Sequence, residues 1–129
     1  MALPEVPLSQ LAEVNPQRSI PAGIARSDAV SFVPMADVSD SARWVTRQTR
    51  PLRACLQGFT PFVEGDVLFA KITPCMENGK GAHALGLVSG VGFGSTEFHA
   101  LRARPGVSSR FIYHWSVARL LRLRAETFM

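Results

Sequence analysis

The sequence predicts an α+β domain: a compact mixed or antiparallel β-sheet with short helices and a C-terminal helix. Three observations predict this class. Short runs rich in β-branched and aromatic residues recur along the chain, and glycine and proline residues separate them. The longest helical pattern of apolar residues lies near the C terminus, where Phe111, Trp115 and Ala118 fall at helical spacing. A length of 129 residues is enough for one hydrophobic core, so we expect a single domain.

Signals in the first half of the chain predict two short helices and two strands. Ser9 is a favourable N-cap for a helix that continues to Val14. The apolar run from Val30 to Met35 predicts a strand, and the weak alternation from Trp44 to Thr49 predicts another. Proline at the first helical position predicts a short helix from Pro51 to Gln57.

The second half of the chain predicts three strands and the final helix. The run from Val67 to Ile72 lies between a glycine and a proline and predicts a buried strand, for which Ala82 to Val88 form the return strand. We expect a glycine-rich connection from Leu87 to Thr96 and a further strand from Phe98 to Arg102. A serine cap at position 108 or 109 predicts a helix that runs to Met129 without a stop signal, which favours a truncated chain.

The charge distribution favours a polyanionic partner. The formal net charge is +4, from 14 basic and 10 acidic residues, and nearly all the basic residues are arginines. Residues 41–53 hold several arginines and no acidic residue, and the planar guanidinium group matches phosphates and guanine edges. On charge alone, chance asymmetry of a solvated surface explains the pattern equally well. The arginines are Arg43, Arg47, Arg50 and Arg53.

Cysteine usage and hydropathy predict a cytoplasmic protein. Cys55 and Cys75 are too few for a disulfide scaffold, so we expect two reduced thiols. The sequence has no apolar run long enough to span a bilayer and no signal peptide at Met1, so we expect no membrane partner.

The stretch from Gly65 to Gly81 changes half-way from an apolar strand to a polar loop. Asparagine and glycine at positions 78 and 79 form a turn signal, and glycines on both sides of Lys80 allow the backbone to approach a partner closely. Polar loops at the edge of a rigid scaffold are where binding residues usually lie. The polar residues of this loop are Lys71, Thr73, Glu77, Asn78 and Lys80.

Patterns that would indicate catalysis or a metal are incomplete. Residues 92–96 are glycine-rich, but they lack the lysine followed by serine or threonine that ends a Walker phosphate loop. Asp66, Glu77 and Lys80 are the residue types of a metal-dependent nuclease, but Asp66 is more simply a turn residue and Glu77 lies in the loop. The histidines and cysteines lack the close spacing of a zinc site, and neither thiol has a local base. We therefore expect no cofactor.

Four segments of the chain, taken in order, resemble one known family. They are Ser31–Val38, Gly58–Phe62, Gly65–Gly81 and Gly92–His99. Together they resemble a target recognition domain of the DNA specificity subunit of type I restriction–modification systems, over nearly the whole chain. The resemblance implies one target recognition domain in residues 1–129. Because the family continues into a spacer helix, we expect the chain to be truncated before that helix.

The resemblance implies a non-catalytic role within a larger assembly. Family members read one half of a bipartite site in double-stranded DNA. Separate modification (methyltransferase) subunits methylate adenine with S-adenosylmethionine, and a restriction subunit cuts the DNA. Double-stranded DNA, the modification subunits and the restriction subunit are therefore the expected partners.

We expect loops and strand ends to contact the major groove. Arginine and lysine bind guanine or phosphate, asparagine pairs with adenine, and hydroxyl groups bind phosphate. Turn chemistry is an alternative role for Thr73 and Asn78, and the family-like loop residues have a second explanation as shape-fixing groups, which would leave base reading to residues 43–53. The expected contact residues are Arg43, Arg47, Arg50, Lys71, Thr73, Asn78, Lys80, Ser95 and Thr96.

Two other functions are alternatives at this point. One is a protein-docking module, in which the final helix binds a partner through Trp115, Leu120, Leu121 and Leu123. The other is the metal-dependent nuclease, whose cleavage activity would be lost when Glu77 is changed.

Overall fold

The computed structural model describes residues 8–16, 20–39, 43–70 and 81–117. They form two four-stranded sheets and a C-terminal helix, so the predicted α+β class is confirmed. The elements in chain order are helix α1 (Leu8–Leu11), strands β1 (Ala12–Val14), β2 (Ala29–Val33), β3 (Gln48–Pro51), β4 (Thr60–Val63), β5 (Val67–Ala70), β6 (Gly81–His83), β7 (Val91–Gly94) and β8 (Phe98–Ala103), and helix α2 (residues 109–117). Short 3₁₀ helices occur at Met35–Asp37, Leu52–Ala54 and Val88–Gly90.

The two sheets differ in strand direction. The first sheet has the order β1-β8-β5-β6 and is antiparallel throughout. The second has the order β3-β2-β7-β4, in which β2 and β7 run parallel while the outer strands are antiparallel to their neighbours. A parallel pair needs a long crossover connection, and here the chain from β3 to β6 supplies it.

Three apolar clusters hold the sheets and α2 together. The first contains Phe62 from the second sheet and Leu68 from the first, so it joins the two sheets. The second surrounds Phe32 and lies beneath the 3₁₀ helix that follows β3. The third joins Ile112 of α2 to Leu101 of β8. Each fully buried side chain of this size contributes about 1.5–3 kcal/mol, so these clusters fix where the polar surface residues lie.

The prediction of a helix over residues 9–14 is wrong in its second half. Helix α1 ends at Leu11, and β1 pairs with β8 so that Ala12 lies opposite Ala103. The backbone groups of β1 gain ladder hydrogen bonds in this position, whereas a short isolated helix has few of its own. Tertiary pairing therefore overrides the capping signal.

Three other boundaries also differ from the prediction. The strand expected at residues 44–49 is β3, and Trp44 makes only an isolated bridge with Val38. The helix expected at residues 51–57 is a 3₁₀ helix of three residues. The return strand expected to reach Val88 ends at His83, because the chain turns at Gly86, whose φ is +72°.

The glycine-rich stretch near residue 92 is a strand inside the second sheet and not a connection. β7 lies between β2 and β4, and its four residues are all buried. A Cβ atom on Gly92 would lie 2.3 Å from a ring carbon of Phe62, and one on Gly94 would lie 2.7 Å from the carbonyl oxygen of Val33. The glycines are therefore present because neighbouring groups occupy the space of a side chain.

Helix α2 begins near its predicted serine cap but packs through a different face. The Ser108 hydroxyl accepts a hydrogen bond of 3.4 Å from the Phe111 amide. Phe111 is 43% exposed, whereas Ile112 and Ser116 are buried and Trp115 is partly buried, so the predicted stripe through Phe111 is wrong. Ala118 lies outside the described residues. Among the described residues, no helix has the length and hydropathy needed to cross a membrane.

Candidate nucleic-acid interface

A basic concavity of about 540 Å³ lies between the segment that follows β2, the β6–β7 connection and α2. Its described lining contains three arginines, two histidines and no acidic residue. A concave surface of one charge sign concentrates ligands of the opposite sign. The lining residues are Arg43, Trp44, Arg47, His83, Leu85, Arg110, Tyr113 and His114.

Backbone hydrogen bonds hold the segment that carries Arg43, Trp44 and Arg47. The Ser39 amide donates to the Arg43 carbonyl at 2.8 Å, and the Ser39 hydroxyl accepts from the Arg43 amide at 3.2 Å. The carbonyl of Asp37 accepts from the Val45 amide at 2.9 Å. This irregular segment therefore has a defined shape although it is not a strand.

Arg47 is fixed by contacts within the protein. Its guanidinium carbon lies 3.7 Å from the centroid of the Trp44 ring, which is a cation–π arrangement. Its Nη1 atom donates to the carbonyl oxygens of Leu85 at 2.9 Å and Gly86 at 3.3 Å. Arg47 is thus a cation of fixed orientation that also supports the turn after β6.

Glu64 holds the same turn through its amide groups, whereas Arg47 binds its carbonyl groups. Its two carboxylate oxygens accept hydrogen bonds of 2.8 Å from the amides of Gly86 and Leu87. Gly86 has φ +72°, and a Cβ atom there would lie 3.3 Å from Nη1 of Arg47. Two charged side chains and one required glycine therefore fix the turn at residues 85–87.

The α2 wall of the concavity carries stacked rings. Tyr113 lies parallel to His83, with ring centroids 5.1 Å apart, and Nε2 of His83 is 3.1 Å from the Ser109 hydroxyl. Burial lowers the pKa of His83 below its ordinary value, against the opposing effect of a hydrogen bond with the Gly65 backbone. The lowered pKa favours the neutral form of His83, so the positive charge of the concavity comes mainly from its arginines.

Arg43 and Arg110 differ from Arg47 in how the fold engages them. Both side chains are exposed, and neither guanidinium group has a hydrogen-bond or ion-pair partner within the described part of the chain. Their charges are therefore not neutralised by these residues. The arrangement is suited to anionic oxygen atoms, which guanidinium groups bind through paired hydrogen bonds.

The expected contact residues divide into four groups. Arg43 and Arg47 line the basic concavity, together with Arg110, which the sequence reasoning missed. Arg50 lies apart from this lining, because its guanidinium carbon stacks 3.8 Å from the Phe32 ring centroid. The third group, Lys71, Thr73, Asn78 and Lys80, lies outside the described residues. The fourth is Ser95 and Thr96.

Ser95 and Thr96 follow β7 directly and are not among the described residues of the basic lining. The Ser95 hydroxyl accepts from the Glu97 amide at 3.1 Å, which is local turn chemistry. Thr96 lines a second concavity of about 270 Å³ with Asn15 and Phe59 among its other residues. The two concavities share no described lining residue.

Asp66 has a structural role that competes with metal binding. It is 1% exposed and accepts hydrogen bonds from Nε and Nη2 of Arg102 at 3.0 and 2.9 Å, and from the Val63 amide at 2.9 Å. These hydrogen bonds raise the pKa of Arg102 above its ordinary value. Glu77 and Lys80 lie outside the described residues, so the nuclease alternative rests on Asp66, whose oxygens are already used.

Other groups named in the sequence reasoning also have structural surroundings. Cys55 is buried, and burial raises the pKa of its thiol, which disfavours the reactive thiolate. Trp115, proposed above for protein docking, packs against the third apolar cluster. Leu120, Leu121 and Leu123 lie outside the described residues. Within the described residues, no three histidine, cysteine or acidic side chains come together in a way that could hold a metal ion.

Comparison with known proteins shows that the chain is similar to part of the specificity subunits of type I restriction enzymes. No protein-family model matches the chain. The chain is 34% identical over 107 residues to the type I restriction enzyme EcoAI specificity subunit of Escherichia coli, a match that covers 80% of the chain. It is 37% identical over 100 residues to the EcoEI specificity subunit of the same organism, which covers 75% of the chain.

These similarities confirm the predicted resemblance to a target recognition domain of a type I specificity subunit. The matches cover 17% and 16% of the two relatives, so the chain spans about a sixth of their length. The α+β fold of the described residues is consistent with a domain of such a subunit.

Proposed function

We propose that the chain is a single target recognition domain, residues 1–129, that binds double-stranded DNA sequence-specifically and reads one half of a bipartite site. The similarity to two type I specificity subunits supports this role. The observation that carries the proposal is the basic concavity, whose described lining has three arginines and no acidic residue.

The physical argument for DNA rests on where the charges lie. Arg43 and Arg110 come from segments far apart in sequence, yet they line one concavity and keep their guanidinium groups unpaired among the described residues. Binding of phosphates by such groups releases counterions from the duplex and supplies most of the sequence-independent affinity. In this proposal the fixed Arg47 and the turn at residues 85–87 face the bases.

In this proposal the chain recognises DNA and catalyses nothing. The modification (methyltransferase) subunits and the restriction subunit of a type I system carry the chemistry and are its protein partners. The names of the relatives as specificity subunits support this division. The buried Cys55 thiol and the paired Asp66 carboxylate support it from the chain itself, because both groups are committed to the fold.

Changing Arg43 and Arg110 to glutamine together is expected to lower the affinity for duplex DNA and its salt dependence. Each lost phosphate contact reduces the slope of log K against log salt by about 0.9, so the double variant should lose roughly 1.8. Near 0.1 M salt each contact corresponds to about a tenfold change in affinity. Fluorescence anisotropy titrations of a labelled duplex at several salt concentrations measure both quantities.

Arg26→Gln is the matched control, because Arg26 is exposed but does not line the concavity. It should leave the slope within experimental error of the unchanged chain. Equal slopes for the double variant and the control would show that the concavity does not meet the DNA backbone.

A further inference from the structure

We propose that Leu85 contacts the 5-methyl group of a thymine in the major groove, and that Arg47 and Glu64 are positioning residues for this contact. The inference rests on the proposed function, since it assigns one base-reading role to the surface that binds the duplex. Leu85 has no assigned role in the sequence reasoning, which had placed it inside a strand.

The first argument is the unusual environment of this side chain. Leu85 is 44% exposed and is the one aliphatic side chain among the described residues that line the basic concavity. Its neighbours in that lining are charged or aromatic, so Leu85 is an aliphatic group set among cations and rings. A ligand that combines an apolar group with negative charge matches this surface.

The second argument is that the fold holds Leu85 in one position. Its amide donates to the His83 carbonyl at 2.9 Å, and its carbonyl accepts from Arg47 at 2.9 Å. The next two amides donate to Glu64, and Leu87 is buried in the first apolar cluster. The backbone on both sides of Leu85 is thus fixed before any ligand arrives, which lowers the entropic cost of contact.

The third argument is the chemistry of the DNA groove. The major groove shows hydrogen-bonding groups at every base pair, and the thymine methyl is the apolar group among them. The major groove lies between the two phosphate backbones, which arginines bind. A surface with a fixed leucine among arginines matches that pattern, since Leu85 shares its concavity with Arg43 and Arg110.

The test compares thymine with deoxyuridine, which lacks only the methyl group. Selection from random duplexes first defines the preferred half-site, and each thymine in it is then replaced singly by deoxyuridine. At one position we expect the unchanged chain to bind about fourfold more weakly, the effect of exposing one methyl group. Leu85→Ala should bind the thymine and deoxyuridine duplexes equally at that position, while Leu85→Met should keep the preference.

Val88→Ala is the matched control, because Val88 is 40% exposed but does not line the concavity. It should keep the fourfold preference. Glu64→Gln should weaken the preference while the salt slope stays unchanged, a split that a general loss of folding would not produce.

The three possible failures do not all have the same meaning. A chain that selects a half-site but tolerates deoxyuridine at every position overturns the role of Leu85 and leaves the proposed function standing. A preference that persists in Leu85→Ala overturns it as well. Absence of duplex binding by the unchanged chain contradicts the proposed function itself.

Discussion

Replacing Asp66 with alanine is expected to lower the free energy of unfolding by about 3 kcal/mol. The substitution leaves the Arg102 guanidinium and the Val63 amide without their acceptor. Asp66 is 1% exposed, so water does not replace these bonds without opening the core. Arg102 is 30% exposed and can turn toward solvent, which keeps the expected cost near the lower end of the range for broken buried pairs.

Chemical denaturation of the single and double variants of Asp66 and Arg102 measures this effect. We expect the double substitution to cost less than the sum of the single ones, because the second change removes a partner that the first left unpaired. Asp28→Ala is the control, since Asp28 also accepts a backbone amide, from Ala25 at 2.9 Å, but is exposed and should cost about 1 kcal/mol or less. An equal cost for Asp66 and Asp28 would contradict the structural role of the buried pair.

Gly92→Ala is expected to destabilise the domain by about 2–3 kcal/mol. The new methyl group would lie 2.3 Å from Cε2 of Phe62, which is inside the contact distance of any two carbon atoms. Phe62 is buried in the cluster that joins the sheets, and β7 lies between two strands, so neither ring nor backbone can move freely.

A second substitution makes the cause of this effect measurable. In a Phe62→Ala background the ring is absent, and Gly92→Ala should then cost far less than in the unchanged chain. Thermal or denaturant unfolding of the four proteins gives the coupling free energy. The same cost in both backgrounds would show that the clash with Phe62 is not the reason for glycine at this position.

Strands with continuous apolar runs were predictable from the sequence. β2, β5 and β8 lie within a residue or two of their expected positions, because at least half of their residues are buried and half-buried pleated surfaces favour β-branched and aromatic residues. β7 escaped prediction because its glycines follow from the shape of Phe62 on another strand. β1 escaped because three residues carry too short a pattern, and its pairing with β8 spans most of the chain.

The candidate site was only half predictable for a similar reason. Local clustering of arginines indicated Arg43 and Arg47, which do line the basic concavity. Arg110 lies in α2, more than sixty residues further along, and no local pattern relates it to them. The turn at residues 85–87 was not predictable from the sequence either, since Glu64 and Arg47 bind it from distant parts of the chain.

The most direct test of the account is to map the surface that a duplex covers. Amide and indole chemical shifts of the isotopically labelled chain, followed during titration with a duplex, report which residues respond. We expect changes at the Trp44 indole, at the turn of residues 85–87 and at residues 110–114, because Trp44, Leu85, Arg110, Tyr113 and His114 line one concavity. Changes confined to the second concavity, around Asn15 and Thr96, would contradict the proposed interface.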